Sequence, residues 1–387
     1  MSRSYRPMRF ENNQAKMKAK STYFTSESVA SGHPDKIADR ISDAILDEVL
    51  KQDKFGKTAV ETFVTKNKII LGGEVNSRAK IDYEKVARKE IKKLGYTIPE
   101  LDFTYKSPVD VLIHTQSAEI AHGVHNKEAG DQGMMFGYAC NETPEKMPLP
   151  ITIANALVKR LDEVREKKEL LYLRPDGKSQ VTVQYKGGIP VGITKVILAA
   201  PHEKKVGLER VKKDLFDKVV VPVLKDYGFE IKEKDFILNG TSVWHYSGPA
   251  ADTGLTGRKI VVDTYGGYAR VGGGAFSGKD PSKVDRSGAY ASRFLAKNIV
   301  ANDLADRAEV YLAYHIGAKK PLMQEVETFG TEKVSHKAII DFMNKILDTS
   351  VVGIIEGLCL RRPIYKETSS YGHFGRTEFP WEKVLKV

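Results

Sequence analysis

Apolar residues recur every three or four positions in the long segments of this chain, and shorter segments of alternating apolar and polar residues lie between them. The longer period predicts an amphipathic helix over residues 34–52 and another over 82–94. Residues 58–65 and 68–75 alternate and meet at Lys66-Asn67, which predicts two strands joined by a tight turn. The predicted order is therefore helix, hairpin, helix.

The same kinds of element recur in two further units along the chain. The second unit has a helix over 150–168, strands over 180–186 and 190–199 joined at Gly187-Gly188, and a helix over 206–227. The third has a hairpin over 259–271 turning at Gly266-Gly267, a helix over 281–299, a strand over 308–316 and a helix over 333–348. These patterns predict an α+β fold of three similar domains, each a sheet with helices on one face, in a pseudo-threefold arrangement.

Polar and glycine-rich stretches indicate where these domains meet. We expect an N-terminal domain over 21–120, a central domain over 121–247 whose first residues, 121–133, form a lid or linker, and a C-terminal domain over 248–387. Residues 1–20 are basic and lack the apolar stretch of a secretion signal. They are predicted to form a disordered tail.

The composition narrows the class of protein. The 387 residues include only two cysteines and no apolar run of about 18 residues, so we expect a cytoplasmic protein without disulfides or membrane spans. Lysine and arginine outnumber aspartate and glutamate by 61 to 50, which gives a formal net charge of +11. This balance favours a polyanionic partner, either nucleic acid or a nucleoside triphosphate.

One glycine-rich loop resembles a phosphate-binding motif and then departs from it. The spacing from Gly273 to Gly278-Lys279 fits a Walker A loop, but Asp280 and Pro281 follow where a Ser or Thr is required. Asp280 and Pro281 instead predict a helix start, as N-cap and first helical residue. The loop favours bound phosphate but argues against an ordinary P-loop phosphotransferase.

His33 and Asp35 flank the proline that opens the first predicted helix. Free amides and the helix dipole favour anions there, and an aspartate can hold a hard cation that in turn binds phosphate. Asp39, Asp43 and Asp47 continue along the helix at intervals of four. These three are interpreted as a solvated acidic surface.

Two glutamates lie on the predicted hairpin of the first domain. Glu61 shares a strand face with Ala59 and Phe63 and is a candidate buried carboxylate that needs a cation or donor; a position on an edge strand with mixed faces is the alternative. Glu74 follows two glycines that permit close approach of a ligand carrying an amine. Exposed glutamates at strand ends are also common.

Other polar groups lie on glycine-rich turns. Asp176 and Lys178 lie on a turn leading into a strand, which turn chemistry alone explains. Arg258 and Lys259 follow a glycine-rich turn that begins at Asp252, and such paired cations favour contact with an anion. No GxSxG, HExxH or placed cysteine nucleophile is present in the sequence. This pattern indicates a reaction whose nucleophile belongs to the substrate.

Two signatures resemble those of the S-adenosylmethionine synthetase family. They are Gly130-Asp131-Gln132-Gly133 with Phe136-Gly137-Tyr138-Ala139, and the loop from Gly272 to Asp280. The supporting stretches are 33–36, 178–180, 254–259, 265–267 and 371–376. The resemblance extends over about residues 21–383.

The resemblance implies a two-step reaction. The sulfur of methionine attacks C5′ of ATP and expels the triphosphate, which is then hydrolysed to pyrophosphate and phosphate. A thioether is nucleophilic without losing a proton, so catalysis depends on positioning and on stabilising the leaving charge. The family also implies about two Mg²⁺ ions per site, K⁺, and a homodimer with active sites between subunits, often paired into a homotetramer.

Site residues are carried over position by position. Asp35 and Asp285 would bind Mg²⁺, and Glu61 would lie at the K⁺ site. The residues expected to contact ATP are His33, Asp176, Lys178, Trp244, Asp252, Arg258, Lys259, Ala275 and Lys279. His33, Lys178 and Lys279 are expected to be catalytic. The residues expected to bind methionine are Glu74, Gln116, Asp252 and Lys283.

Two departures from the family pattern are visible. Val243-Trp244 replaces Arg-Phe beside the adenine, so a cation is missing there while Trp244 can stack on the base. The loop from Gln116 to Asp131 is shorter than in many members, which predicts altered lid dynamics. A P-loop-like phosphotransferase and a basic nucleic-acid-binding protein are the alternative hypotheses.

Overall fold

The computed structural model describes residues 21–115, 128–240 and 243–386, and the predicted tail, Gln116 and most of the predicted lid lie outside these ranges. The strands are β1 (Ser21–Val29), β2 (Lys57–Thr65), β3 (Lys68–Asn76), β4 (Val109–His114), β5 (Gly133–Cys140), β6 (Lys178–Lys186), β7 (Ile189–Ala199), β8 (Phe236–Leu238), β9 (Gly254–Leu255), β10 (Arg307–Tyr314) and β11 (Met323–Glu327). The α-helices are α1 (Pro34–Gln52), α2 (Tyr83–Lys93), α3 (Leu149–Glu166), α4 (Leu208–Leu215), α5 (Val221–Asp226), α6 (Ile260–Asp263), α7 (Val284–Ala301), α8 (His336–Ile346) and α9 (Val351–Gly357). A π-helical turn, Phe216–Val220, joins α4 to α5.

The strands form three sheets within the described ranges. Their strand orders are β1-β6-β7-β8, β4-β3-β2-β9 and β11-β10-β5. A long helix packs on each sheet: α3 on the first, α1 on the second and α7 on the third. The predicted fold of three similar α+β units is confirmed.

The sheets do not follow the order of the chain. β1 pairs antiparallel with β6, β5 pairs with β10, and the two residues of β9 lie beside β2. Each sheet therefore includes a strand from a distant segment. The pairing of β9 with β2 brings the segment after it to the N-terminus of α1.

Helix α1 lies between the second sheet and loops from the C-terminal half of the chain. His33 is its N-cap, with Nδ1 accepting the Asp35 amide at 3.2 Å, and Pro34 suits the first helical position. The apolar side from Ile37 to Val49 packs against β2 and β3, where each buried aliphatic side chain contributes about 1.5–3 kcal/mol. The polar side is buried as well.

The hairpin predicted over 259–271 is wrong. Residues Ile260–Asp263 form the single helical turn α6, and turns and bends follow it. The apolar run over 260–262 is compatible with a strand or with a helical turn. In the structure Asp263, the last residue of the turn, accepts Lys36 Nζ at 2.5 Å. This contact ties the turn to α1.

The predicted start of the helix over 281–299 is also wrong, because α7 begins at Val284. Asp280 does not act as its N-cap. Its carboxylate accepts the amides of Thr58 at 2.8 Å and Ser282 at 2.9 Å. The contact with Thr58 therefore fixes Asp280 to the second sheet. A further turn of the chain separates Asp280 from the start of α7.

Candidate active site

A cluster of cations surrounds the buried carboxylate of Asp35 at the N-terminus of α1. Asp35 Oδ1 accepts the amide of Leu255 at 3.0 Å, and Oδ2 accepts Lys259 Nζ. Arg258 Nη1 lies 3.8 Å from Asp35 Oδ1. The structure thus brings Asp35, Arg258 and Lys259 together. We call the group of Asp35, His33, Lys178, Arg258 and Lys259 the Asp35 cluster.

Burial and neighbouring cations keep His33 neutral. Loss of solvation, then the charges of Lys259 and Lys178, lower the pKa of His33 to about 3. Burial raises the pKa of Asp35, but hydrogen bonds from Lys259 and the Leu255 amide outweigh it and hold that pKa below its ordinary value. At neutral pH Asp35 is a carboxylate, and His33, whose Nδ1 accepts an amide, retains Nε2 as a donor.

The turn before β6 completes this cluster. A Cβ on Gly32 would lie 2.1 Å from the carbonyl oxygen of Pro175, so glycine is required for the two segments to meet. Lys178 follows this turn, is exposed, and is close enough to lower the pKa of His33. The close approach therefore brings Lys178 of the first sheet to the N-terminus of α1, the helix that packs on the second sheet.

Asp176 lies buried beside the cluster. Its oxygens accept the amides of Gly177 at 2.7 Å and Gly248 at 3.1 Å. Exposed Asp252 lies on the turn that follows Gly248, with its amide donating to the Gly248 carbonyl at 3.1 Å. Trp244, which is partly exposed, donates its Nε1–H to the carbonyl of Tyr246 at 2.9 Å.

We expect the stability of the ligand-free protein to depend on pH through Asp176. Burial raises the pKa of this carboxyl to about 7, and the two amide hydrogen bonds only partly offset that effect. The folded state therefore holds a proton that the unfolded chain releases, so stability falls as pH rises from the ordinary pKa to about 7. The free energy of unfolding, measured with urea, should therefore fall by about 1.4 kcal/mol per pH unit in this range. Asp176→Asn should remove this dependence. Parallel pH profiles for the two proteins would contradict this prediction.

A second cluster lies on the loop with Walker-like spacing. Lys279 Nζ donates to Asp285 Oδ2 at 2.7 Å, and a Cβ on Gly274 would lie 2.3 Å from Asp285 Cγ. A Cβ on Gly133 would lie 3.3 Å from Asp285 Oδ1. The glycine-rich turn over 130–133 and the loop from Gly272 to Asp280 thus meet at Asp285.

Lys283 and Ala275 lie on the same stretch of chain as this pair. Lys283 forms an ion pair with Asp280 and occupies the N-cap position of α7 without a capping side-chain bond. A Cβ on Gly257 would lie 2.6 Å from the Cβ of Ala275. Ala275 therefore lies against the loop that carries Arg258 and Lys259.

Strand β2 places Glu74 and Lys279 on one face of its sheet. Ala59 pairs with Glu74 on one side and with Lys279 on the other, and directly opposed residues project to the same face. Glu61 is on this face and is exposed. The prediction of a buried Glu61 is therefore wrong for the single chain. The buried positions of β2 are Thr58, Val60, Thr62 and Val64.

The acidic row on α1 is buried, so its interpretation as a solvated surface is wrong. Each carboxylate accepts backbone amides from a different distant segment. The acceptor and donors are Asp39 with Gly257 (2.8 Å), Asp43 with Gly278 (2.9 Å), and Asp47 with Tyr365 and Lys366 (both 2.9 Å). The row therefore anchors the loops that carry Lys259 and Lys279.

The carboxylates of the Asp35 cluster and of the Lys279–Asp285 pair suit a metal ion that is bound together with a phosphate. Within residues 21–115, 128–240 and 243–386, no three His, Cys, Asp or Glu side chains come together as a metal-binding group. Asp35 and Asp285 are single carboxylates beside lysines. Because Mg²⁺ is often held by one or two carboxylates plus substrate phosphates and water, these residues fit a nucleotide-bound ion.

The segments that lead to the Asp35 cluster and to the Lys279–Asp285 pair lie beside different residues of β2. Leu255, which leads towards Lys259, pairs with Phe63, whereas Lys279 pairs with Ala59. Four residues of strand span about 13 Å. In the described part of the chain, no hydrogen bond or ion pair joins the side chains of the two groups.

The loop lacks the geometry of a P-loop. In that motif the lysine and the next residue open the following helix. Here Lys279 precedes Val284, the first residue of α7, by five positions. The phosphotransferase alternative therefore loses its structural basis.

Lysine, arginine and single carboxylates grouped in this way suit a polyphosphate ligand. Three domain models of S-adenosylmethionine synthetase match the chain: the N-terminal domain at 21–118, the central domain at 126–244 and the C-terminal domain at 246–383. The chain belongs to the S-adenosylmethionine synthetase family. The resemblance in its motifs is confirmed, and neither alternative hypothesis is supported.

Two curated relatives illustrate the similarity. The chain is 47% identical over 381 residues to the S-adenosylmethionine synthase of Treponema denticola, an alignment covering 96% of this chain and 98% of the relative. It is 49% identical over 381 residues to the S-adenosylmethionine synthase of Clostridium tetani, with coverage of 94% and 97%. Both alignments cover nearly the full length of both proteins.

Proposed function

We propose that this protein forms S-adenosylmethionine from ATP and L-methionine and then hydrolyses the released triphosphate to pyrophosphate and phosphate. Family membership supports the synthesis. The observation that carries the site assignment is the grouping of His33, Lys178, Arg258 and Lys259 around the carboxylate of Asp35. Cations grouped at a helix N-terminus suit a triphosphate.

The first step needs no general base. The sulfur lone pair forms a bond to C5′, the bond from C5′ to the ester oxygen breaks, and its electron pair leaves with the triphosphate. Negative charge grows on that group in the transition state, where each preorganised donor contributes about 10²–10³-fold in rate. Lys178, Arg258 and Lys259 would supply positive charge, and neutral His33 would donate a hydrogen bond through Nε2.

Lys279 and the proposed ion ligands would act on the same triphosphate. Mg²⁺ held by Asp35 and Asp285 would neutralise phosphate charge, and K⁺ would lie at Glu61. Lys279 would contact phosphate oxygens of the triphosphate. The second step would then break a P–O bond of the triphosphate by addition of water.

The remaining groups would bind the nucleoside and methionine. Trp244 would stack on adenine, with Asp176 near the ribose and the Ala275 backbone at the phosphates. Glu74 and Lys283 carry the charges that complement the amino and carboxylate groups of methionine, and Asp252 would contact both substrates. Gln116, also proposed for methionine, lies outside the described residues.

We further propose that the active sites lie between two subunits. The outer face of the second sheet carries Glu61, Glu74 and Lys279 beside the half-buried Phe63 and Ile70. Such an apolar face with charged groups suits contact with a second copy. A twofold interface would then join the Asp35 cluster of one subunit to the Lys279–Asp285 pair of the other, and dimers would pair into a tetramer.

A cytoplasmic location is part of the same proposal. Both cysteines are free, as is usual in a reducing compartment. Among the described residues, no helix combines the length and apolar character needed to cross a bilayer.

We expect products to appear only when methionine is present. The protein would be incubated with ATP, Mg²⁺ and K⁺, with and without methionine, and S-adenosylmethionine, pyrophosphate and phosphate would be measured. All three should form together in the complete mixture. Phosphate transfer to an acceptor without methionine, or no methionine-dependent product, would contradict the proposed function.

A further inference from the structure

Asp43 and Arg286 form a fully buried ion pair beneath the loop that carries Lys279. Arg286 Nη1 and Nη2 donate to the two oxygens of Asp43 at 2.7 and 2.9 Å. The other acceptors of Arg286 are the Lys279 carbonyl (3.0 Å), Thr368 Oγ1 (3.1 Å) and the Tyr290 hydroxyl (3.0 Å). All five N–H groups of the guanidinium are thus used, and its geometry is fixed.

The pair holds the backbone at Gly278 and Lys279 from two sides. Asp43 Oδ1 accepts the Gly278 amide at 2.9 Å, and Arg286 Nη1 donates to the Lys279 carbonyl at 3.0 Å. The Gly278 carbonyl between them accepts the Val60 amide at 3.2 Å. Gly278 has a φ of +80°, and a Cβ there would lie 1.9 Å from the Val60 oxygen. This peptide cannot shift without breaking buried hydrogen bonds.

The energetics of the pair indicate that it serves to position the backbone at Gly278 and Lys279 more than to stabilise the fold. Burial lowers the pKa of Arg286, but the charge of Asp43 outweighs it and raises that pKa, so the guanidinium stays charged. Removing two charges from water is costly, and an apolar pair of similar volume is often as stable as a buried ion pair. An apolar pair, however, could not bond to the amide of Gly278 and the carbonyl of Lys279.

We propose that Asp43 and Arg286 are positioning residues that fix Lys279 for contact with the leaving triphosphate. This inference rests on the role proposed for Lys279. Both side chains are fully buried, so neither would contact the substrate directly. The ammonium group lies on a flexible side chain, so its placement depends on the backbone from which that chain extends. A displacement of about 1 Å at such a group can lower a rate on the order of 100-fold.

A double-mutant cycle tests the proposal. The combined replacement Asp43→Leu with Arg286→Met is made in the wild-type protein and in Lys279→Ala, and kcat for S-adenosylmethionine formation is measured. We expect kcat to fall about 10- to 100-fold when Lys279 is present, and to change less than about twofold when it is absent. An equal loss in both backgrounds would overturn the positioning role.

A second buried pair on α1 provides the matched control. Arg40 Nε lies 2.8 Å from Glu90 Oε2, and both side chains are nearly fully buried. Arg40→Met with Glu90→Leu should change the unfolding midpoint without lowering kcat. A comparable loss of kcat in this control would overturn the proposal, because the effect would then follow from general weakening of α1.

Two further outcomes separate this inference from the proposed site. Full turnover in Lys279→Ala would refute the role of Lys279 and the positioning proposal with it, whereas an additive cycle refutes positioning alone. If the apolar pair does not fold, Arg286→Lys replaces it in the cycle. Lysine keeps the charge but lacks the fork that joins Asp43 to the Lys279 carbonyl, so the same non-additivity with Lys279→Ala is expected.

Discussion

Lys279→Ala is expected to lower kcat for S-adenosylmethionine formation by about two to three orders of magnitude. The ammonium group would stabilise charge that develops on the leaving triphosphate, and alanine leaves that charge uncompensated. Stability should change by less than about 1 kcal/mol, because exposed and partly exposed ion pairs contribute little. The Lys279–Asp285 pair is partly exposed, at 29% and 23% for its two side chains. Steady-state kinetics and urea unfolding would measure the two effects.

Lys195→Ala is the matched control for this variant. Lys195 Nζ lies 2.7 Å from Asp235 Oδ1, the same separation as in the Lys279–Asp285 pair, but on β7 and with no proposed role. Its kcat should equal that of the wild type. Unchanged turnover in Lys279→Ala, or a loss of activity that merely follows a loss of folded protein, would refute the assignment of Lys279.

Mixing Asp35→Asn subunits with Lys279→Ala subunits should restore about a quarter of wild-type activity, although each variant alone is nearly inactive. Asn removes the carboxylate proposed to hold Mg²⁺. If each site combines the Asp35 cluster of one subunit with the Lys279–Asp285 pair of the other, a mixed dimer has one site with both groups intact. Random reassociation makes about half of the dimers mixed, and half of their sites are intact.

A second mixture provides the control. Lys279→Ala and Asp285→Asn both alter the same pair, so no mixed dimer contains an intact site and activity should stay low. Differently tagged subunits and native mass spectrometry would verify that mixed dimers form. Absence of recovery in the first mixture despite verified mixed dimers would show that both groups serve a site within one subunit.

The periodicity of the sequence predicted the elements that depend on local pattern. Helix α1 and the hairpin of β2 and β3 were predicted within a residue or so, because a continuous amphipathic period and a tight turn are properties of neighbouring residues. The strand predicted at Ile260 is wrong, because a strand forms only beside a partner strand and local pattern does not show whether one is present. In the structure the apolar run at Ile260 forms α6, and Asp263 of this turn bonds to Lys36.

Charge patterns were less informative than apolar ones. The spacing of four placed Asp39, Asp43 and Asp47 on one side of α1, which is correct. The spacing could not show that distant loops cover that side, and no motif or period in the sequence points to Arg286. A run of carboxylates on a helix whose apolar stripe is already complete looks like a solvated surface until the covering segments are known.

Motifs and local periodicity alone determined the α+β class, the family, and the residues from which the triphosphate site is proposed. The glycine-rich loop ending in Lys279-Asp280 differs from a P-loop by one residue type, and this difference is visible in the sequence itself. Only the tertiary structure decided that α7 starts later, that Glu61 faces outward, and that the acidic row holds the cationic loops. These properties depend on contacts between segments far apart in the chain, and the burial and hydrogen bonding of each residue are fixed by those partners.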